Sequence, residues 1–281
     1  MSGGPLASSP CVGPIIVVPT SPLLDTAALK KGLHTRRFGQ KIFSFETIDS
    51  TNNCAKALAA CWAEEGTVVL SEEQTAGRGR LGRTWQAAPM ENLTFSLILR
   101  PELPSEAMNL LPLYAAVGVA EAIEKSTGLS VECKWPNDLM IGGKKLAGIL
   151  LEGSLKEERV DYVVLGIGLN VNQTDFPAEI SPRATSLRLE TGRTIDRAEL
   201  FRTILRTLES HYHAIMKQGF HAILPLWLSR THMINRQITV SQDGATLSGV
   251  VTGLSPEGAL IVRTNGTEKT LYAGDVSIVE M

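Results

Sequence analysis

Apolar and polar positions change rhythm several times along the chain, and each change predicts an element. Leu23, Leu24, Ala27, Ala28 and Leu29 fit one face of a short helix over Leu23 to Leu33 that Gly32 would end. Ser50-Thr51-Asn52 supplies capping side chains ahead of a helix over Ala55 to Ala63, closed by Gly66. Thr67 to Ser71 reads as a buried strand, whereas Leu93, Phe95, Leu97 and Leu99 alternate and predict a strand packed on one face up to Arg100. Helical spacing returns over Met108 to Ile123, and strand character over Val131 to Lys134 and Tyr162 to Val171. Gly142-Gly143, set between two apolar runs, predicts a hairpin turn of the primed kind. Asp196-Arg197-Ala198-Glu199 has the form of a capping box. It precedes Leu200, Phe201, Ile204, Leu205, Leu208, Tyr212, Ile215 and Met216, an amphipathic helix of about six turns expected to cover a sheet.

Two regions break this α+β texture. Residues 1–22 are rich in Gly, Pro and Ser without a charge before Asp25 and predict a loose tail. After Trp227 short alternating runs are separated by Asp243-Gly244, Pro256-Glu257-Gly258 and Asn265-Gly266, which predicts a small β-barrel of four or five strands leaning on the larger domain. The expected organisation is therefore a tail over 1–22, a catalytic domain over 23–232 and a barrel over 233–281. With 27 basic and 29 acidic side chains, the net charge of −2 argues against a dedicated nucleic-acid binder. No apolar run approaches the roughly 18 residues that cross a bilayer, and no basic segment precedes an apolar one, so a cytoplasmic protein is expected.

The candidate chemistry sits in loops. Gln74-Thr75-Ala76-Gly77-Arg78-Gly79-Arg80-Leu81-Gly82-Arg83-Thr84-Trp85 combines glycines that let backbone bend around a ligand with forked cationic donors, the composition of an anion-binding loop. It also fits the dinucleotide fingerprint G-x-G-x-x-G, but no helix can open at Gly82 before Pro89 and the strand at Leu93. Lys134-Trp135-Pro136-Asn137-Asp138, followed by Lys144-Lys145, fits either a site for a triphosphate with Mg²⁺ or a solvated hairpin. Gly166-Ile167-Gly168-Leu169-Asn170 is either a place where a flat ring nears the backbone or a bulge. The cysteines at 11, 54, 61 and 133 lack zinc-ligand spacing and read as buried thiols, with Cys54 and Cys61 too far apart on a helix to bridge. His211, His213, His221 and His232 read as surface or satisfied core groups.

Taken in order, Ser50-Thr51-Asn52, Gly77 to Trp85, Lys134 to Asp138, Lys145-Leu146-Ala147-Gly148-Ile149-Leu150 and Gly166 to Asn170 closely resemble the biotin protein ligase family, from about Leu33 to the C-terminus. The resemblance implies a catalytic domain related to class II aminoacyl-tRNA synthetases, a mixed sheet with helices, and an SH3-like C-terminal barrel. It implies ATP-dependent formation of biotinyl-5′-AMP, then transfer of biotin to a lysine of a biotin carboxyl carrier domain. By matching position, Ser50, Thr51, Asn52 and Gln74 would bond the biotin ureido ring, with Gly77, Arg78, Gly79, Arg80, Lys145, Gly148 and Gly168 completing the biotin site. Arg80, Arg83, Trp85, Lys134, Asn137, Asp138 and Asn170 would form the ATP site, Asp138 reaching Mg²⁺ and Asn170 the adenine. Arg80 would retain the mixed anhydride, and Lys145 would meet the carboxylate and α-phosphate; these two are the expected catalytic residues.

Two departures from the family pattern bear on this reading. The short segment before the ligase region leaves no place for the winged helix-turn-helix of the repressor-type members, so a monofunctional ligase is expected. The last strand reads Ser277-Ile278-Val279 where the family often has Ser-Leu-Arg, which leaves the barrel without that cation and predicts a mostly structural role for it. A lipoate or octanoate ligase is the chemical rival, and a non-enzymatic nucleic-acid-binding module the rival of another class. Monomer and homodimer stay open.

Overall fold

The computed structural model describes residues 24–242 and 245–278. The expected tail, Cys11, the Asp243-Gly244 turn and Val279 lie outside them. In chain order the elements are α1 (Thr26–Lys30), β1 (Ile42–Ile48), α2 (Thr51–Ala60), β2 (Val68–Gln74), β3 (Leu93–Leu99), α3 (Leu111–Thr127), β4 (Glu132–Lys134), β5 (Asp138–Ile141), β6 (Lys144–Lys156) and β7 (Arg159–Leu169). There follow α4 (Leu187–Thr191), α5 (Arg197–Gln218), α6 (Ile223–Leu228) and strands β8 (Gln237–Gln242), β9 (Ala245–Leu254), β10 (Leu260–Thr264), β11 (Thr267–Leu271) and β12 (Asp275–Ile278).

Strands β1 to β7 form one sheet in the order β1-β2-β3-β7-β6-β5-β4, in which β1 and β2 run parallel and the other neighbours antiparallel. One face carries α3 and α5: Phe95 of β3 meets Phe201 of α5 edge-on at 5.2 Å, and α3 is buried around most of its circumference between sheet and α5. Local signals set these helices. Asp196 accepts hydrogen bonds from the N–H groups of Ala198 and Glu199 at the start of α5, and Gly128 ends α3 at φ +77°. The capping box is only half made, because Glu199 turns outward to Arg202 and Arg206.

The opposite face builds the site. Period-two alternation sends Leu93, Phe95, Leu97, Leu165, Ile167, Leu169, Ala147 and Ile149 into the main core, so the residues between them face the other way. Those are Thr94 and Ser96 on β3, Gly166 and Gly168 on β7, and Gly148, Leu150 and Glu152 on β6, laid side by side by the register Thr94↔Gly168↔Gly148 and Ser96↔Gly166↔Leu150. Helix α2 covers the far part of this face through Cys54, Ala55 and Ala59 against Val69, Ile98 and Val164. Strand β3 is consequently buried on both faces and not on one, since α2 and the site elements cover its second side.

The Gly142-Gly143 turn has positive φ at both residues (+54° and +78°), as the primed hairpin requires. The C-terminal strands form an antiparallel sheet in the order β11-β10-β9-β8-β12, as a small β-domain. It shares its core with the first sheet: Ile238, Val240, Val251, Leu260 and Val262 belong to the same buried cluster as Leu111 and Leu113. The Trp135 indole N–H also donates to the Gly258 carbonyl at 3.1 Å. Among the described residues no helix is long and apolar enough to cross a membrane. Cys54 and Cys133 are buried as expected, and burial pushes their thiols up to about 11 and about 12; Cys61 is exposed, because it follows the last turn of α2.

Candidate active site

A cavity of about 870 Å³ opens on the glycine-lined face, within the size range of small-ligand sites. At one end is the N-terminus of α2. The helix begins at Thr51, earlier than its alanine run predicts, with Ser50 in the N-cap position but making no side-chain cap bond. Gln74 Oε1 instead accepts from the Thr51 N–H at 2.7 Å and from Thr51 Oγ1 at 3.1 Å. Asn52 accepts from Ser96 Oγ at 2.6 Å and donates to Glu152 Oε2 at 2.8 Å. The close approach of its amide explains Gly166, where a Cβ would lie 2.2 Å from Asn52 Oδ1.

Between β2 and β3 the Gly/Arg segment folds into a tight hairpin and not into a helix. Arg78 and Thr84 form a bridge, Gly79 N–H donates to Arg83 O at 2.7 Å, and Trp85 N–H to Gly77 O at 3.0 Å. Its tip is a single 3₁₀ turn, Arg80–Gly82, with Leu81 at φ +54° and its side chain exposed. The dinucleotide fingerprint thus fails for the reason expected from Pro89 and β3. Gly77 is the one expected biotin residue that does not line the cavity: it is packed inside the hairpin, where a Cβ would lie 2.4 Å from Trp85 O.

Each arginine of the hairpin has an acceptor on a different element. Arg78 pairs with Glu152 of β6 at 2.5 Å, Arg80 Nη1 donates to Asn137 Oδ1 at 3.3 Å, and Arg83 pairs with Asp275 of β12. Trp85 then lays its indole over β6 and β7. A Cβ at Gly168 would lie 2.3 Å from the ring and one at Gly148 3.3 Å from it, so a protein side chain occupies part of the space expected for a flat ligand ring. Lys145 Nζ stands 5.9 Å from the Trp85 ring centre and 2.6 Å from Asp138 Oδ1, while Lys144 points to solvent.

Cations dominate: Arg78, Arg80, Arg83, Lys134, Lys145 and Arg183 line the cavity against Asp138, Glu179 and Asp275. Burial lowers the pKa of Arg80, with Asp275 and Asp138 opposing that shift, and lowers that of Lys134, which Asp138 supports most. Burial alone would raise the Glu152 carboxyl. Hydrogen bonds from Lys56 and Asn52, with the charges of Lys56 and Arg78, hold it below the usual carboxylate range. Among the described residues three buried polar atoms on the lining have no hydrogen-bond partner: Trp85 Nε1, Asn170 Oδ1 and Asp138 Oδ1, the last of which is ion-paired with Lys145. Asn170 is held in place by its other amide atom, which donates to Thr185 O at 3.0 Å.

The structure thus brings Ser50, Thr51, Asn52, Gln74, Arg78, Gly79, Arg80, Arg83, Trp85, Lys134, Asn137, Asp138, Lys145, Gly148, Gly168 and Asn170 to one cavity. Sequence reasoning missed Glu152, the wall formed by Phe176, Ile180 and Arg183, and the β12 residues Asp275, Val276 and Ser277. The last three correct the expectation of a mostly structural C-terminal domain: its last strand lines the cavity and brings a carboxylate, Asp275, to it.

Residues 44–170 match the biotin/lipoate A/B protein ligase family, and residues 233–279 the biotin protein ligase C-terminal domain. The bifunctional ligase/repressor BirA of Bacillus subtilis is 39% identical over 257 residues, covering 91% of this chain and 79% of that protein. The biotin–[acetyl-CoA-carboxylase] ligase of Paracoccus denitrificans is 33% identical over 234 residues, covering 81% and 96%. The biotin protein ligase of Aquifex aeolicus, solved in complex with biotin and ATP, superposes with a TM-score of 0.73 at 29% identity, covering 86% of this chain and all of that one. Motif order, fold, cavity and relatives agree, and the chain belongs to the biotin protein ligase family.

Proposed function

We propose that this chain joins biotin to protein in two steps within the one cavity. In the first, a biotin carboxylate oxygen attacks the α-phosphorus of ATP, a P–O bond forms, and pyrophosphate leaves. In the second, the amine of a lysine on a biotin carboxyl carrier domain attacks the acyl carbon, an amide forms, AMP leaves and the amine proton is released. The observation that carries this reading is the set of cations, Lys145 among them, that lines the same cavity as the α2 N-terminus and Asn170. Such a set suits two anions, a carboxylate and a polyphosphate, that must be drawn together against their mutual repulsion.

Roles follow from position. Ser50, Thr51, Asn52, Gln74, Gly148 and Gly168 hold biotin, with Asn52 and Gln74 oriented by Glu152 and Thr51. Lys145 neutralises the carboxylate and the α-phosphate where charge builds up, a contribution of about 3 kcal/mol for one well-placed donor. Arg80, held by Asn137 in a half-buried place, covers the mixed anhydride and keeps water and the adenylate apart. Lys134 and Arg83 take the outer phosphates. The unpartnered Asn170 Oδ1 is an acceptor for a donor on the base, which the exocyclic amine of adenine supplies.

Mg²⁺ bound to a triphosphate needs only one or two protein carboxylates, and Asp138, whose buried Oδ1 receives no aligned hydrogen bond, fits that need. When bound, the ion would offset phosphate charge. The cytoplasm, where ATP is available, is the proposed compartment.

Biotin-dependent exchange of labelled pyrophosphate into ATP tests the reading. Exchange with biotin and not with octanoate is the expected result, with loss of about 100-fold or more in Lys145→Ala at unchanged folding. Exchange with octanoate alone moves the chain to lipoate chemistry, and exchange with neither acid overturns ligation.

A further inference from the structure

Asp275 is the first residue of β12, where it pairs with Ser241 of β8. The chain reaches it through Gly274 at φ +142°, where a Cβ would lie 2.5 Å from Val240 Cγ1. A side chain at 274 would therefore meet the C-terminal core, and the glycine allows the strand to turn its first carboxylate into the catalytic cavity. There Asp275 is two-thirds buried and pairs with Arg83, whose guanidinium is otherwise 66% exposed. Its charge also acts on Arg80 and Lys134, the two other cations of the phosphate end.

A carboxylate presents two oxygens to a guanidinium fork much as a phosphate does. At the nucleotide end of the cavity Asp275 thus sits on a cation that an outer phosphate would claim, as Asp138 sits on Lys145 deeper in the site. A structural ion pair between domains has no need of the cavity's own cation, and the extensive apolar core already joins the two sheets.

Resting on the nucleotide reading given above, we propose that Asp275 is an internal stand-in for a nucleotide phosphate: it holds Arg83, and with it the closed hairpin, until the triphosphate takes its place. Arg83 exchanges one anion for another and is never left unpaired in the cleft. Asp275 then competes with ATP on the way in and reclaims Arg83 as pyrophosphate leaves, which makes it a positioning residue acting through Arg83.

The test is Asp275→Asn, which keeps shape and hydrogen bonding and removes the charge. In the exchange assay the KM for ATP should fall about threefold to fivefold, the scale of a partly exposed ion pair, while the KM for biotin stays unchanged. In the Arg83→Ala background the same substitution should lower the KM for ATP by a clearly smaller factor, through Arg80 and Lys134 alone. In the ligand-free protein Asp275→Asn should increase tryptic cleavage after Arg83, and ATP should restore protection. A KM for ATP that is unchanged or raised, an equal fall in both backgrounds, or unaltered cleavage would overturn the proposal. Absence of biotin-dependent exchange in the wild type would instead overturn the nucleotide reading, and the cleavage arm would still decide whether Asp275 fastens Arg83.

Discussion

The two ends of the Gly/Arg hairpin are fastened in contrasting ways. At the biotin end Arg78 meets Glu152, a carboxylate that also receives Lys56 and Asn52, so one residue organises three partners from α2 and the hairpin. At the proposed phosphate end Arg83 meets Asp275 alone among the described residues, with its side chain largely in water. A networked, half-buried pair resists both screening and exchange, whereas an isolated exposed pair is easily traded. On the proposed assignment of the two ends, the hairpin is fastened more firmly at the biotin side than at the phosphate side.

Removing the centre of the hairpin breaks this arrangement most severely. Arg80→Gly deletes the contact to Asn137 made at the tip of the hairpin, and the expected outcome is a loss of adenylate retention by about 100-fold, with biotinyl-AMP labelling lysines of bystander proteins. Retention at the wild-type level, measured by trapping the released adenylate, would remove Arg80 from that role.

The biotin end comes next. Glu152→Ala leaves Arg78, Lys56 and Asn52 without their shared acceptor, and biotin affinity measured by calorimetry should fall about tenfold to 100-fold. The same carboxyl gives a pH signature. Its folded pKa is held below the unfolded value near 4.5, so its stabilisation is complete above that value and is lost as pH falls through the folded pKa. The gap in melting temperature between wild type and Glu152→Gln should therefore be constant from pH 7 to about 5 and close as the pH falls below the unfolded value and through the lowered folded pKa; a gap that persists at the lowest pH would show that packing, not charge, anchors Arg78.

The smallest effect separates the ends directly. Raising NaCl from about 0.05 M to 0.5 M should speed tryptic cleavage after Arg83 a few-fold and leave cleavage after Arg78 nearly constant, because only the exposed pair is screened. Equal acceleration at both sites would erase the distinction between them.

How far the sequence foretold this follows from where each partner lies. The absence of a helix after Gly82, the Gly-Gly turn, the Asp196 cap and the long helix were legible because each is set by neighbours within a few residues. The residues that line the cavity were named through motifs, which record chemistry but not contacts. Glu152 was missed because it reads as one acid in a long strand, and its partners arrive from 74 and 100 residues away through sheet pairing. Asp275 was missed because the four-residue strand that carries it has too little alternation to announce a face. The two-sided burial of β3 was hidden for a related reason: Thr94 and Ser96 look solvent-facing by type, yet Ser96 is enclosed through bonds to Thr51 and Asn52.

Trp85 has a further consequence in optical terms. Of the four tryptophans in the chain, Trp62 stands in water, and Trp135 and Trp227 are locked in the core. Trp85 instead lines the cavity, beside the Lys145 ammonium and with its indole N–H unpartnered among the described residues. An indole excited state shifts electron density across the ring and responds to nearby charge, so this protein carries its own fluorophore on the wall of the proposed active site.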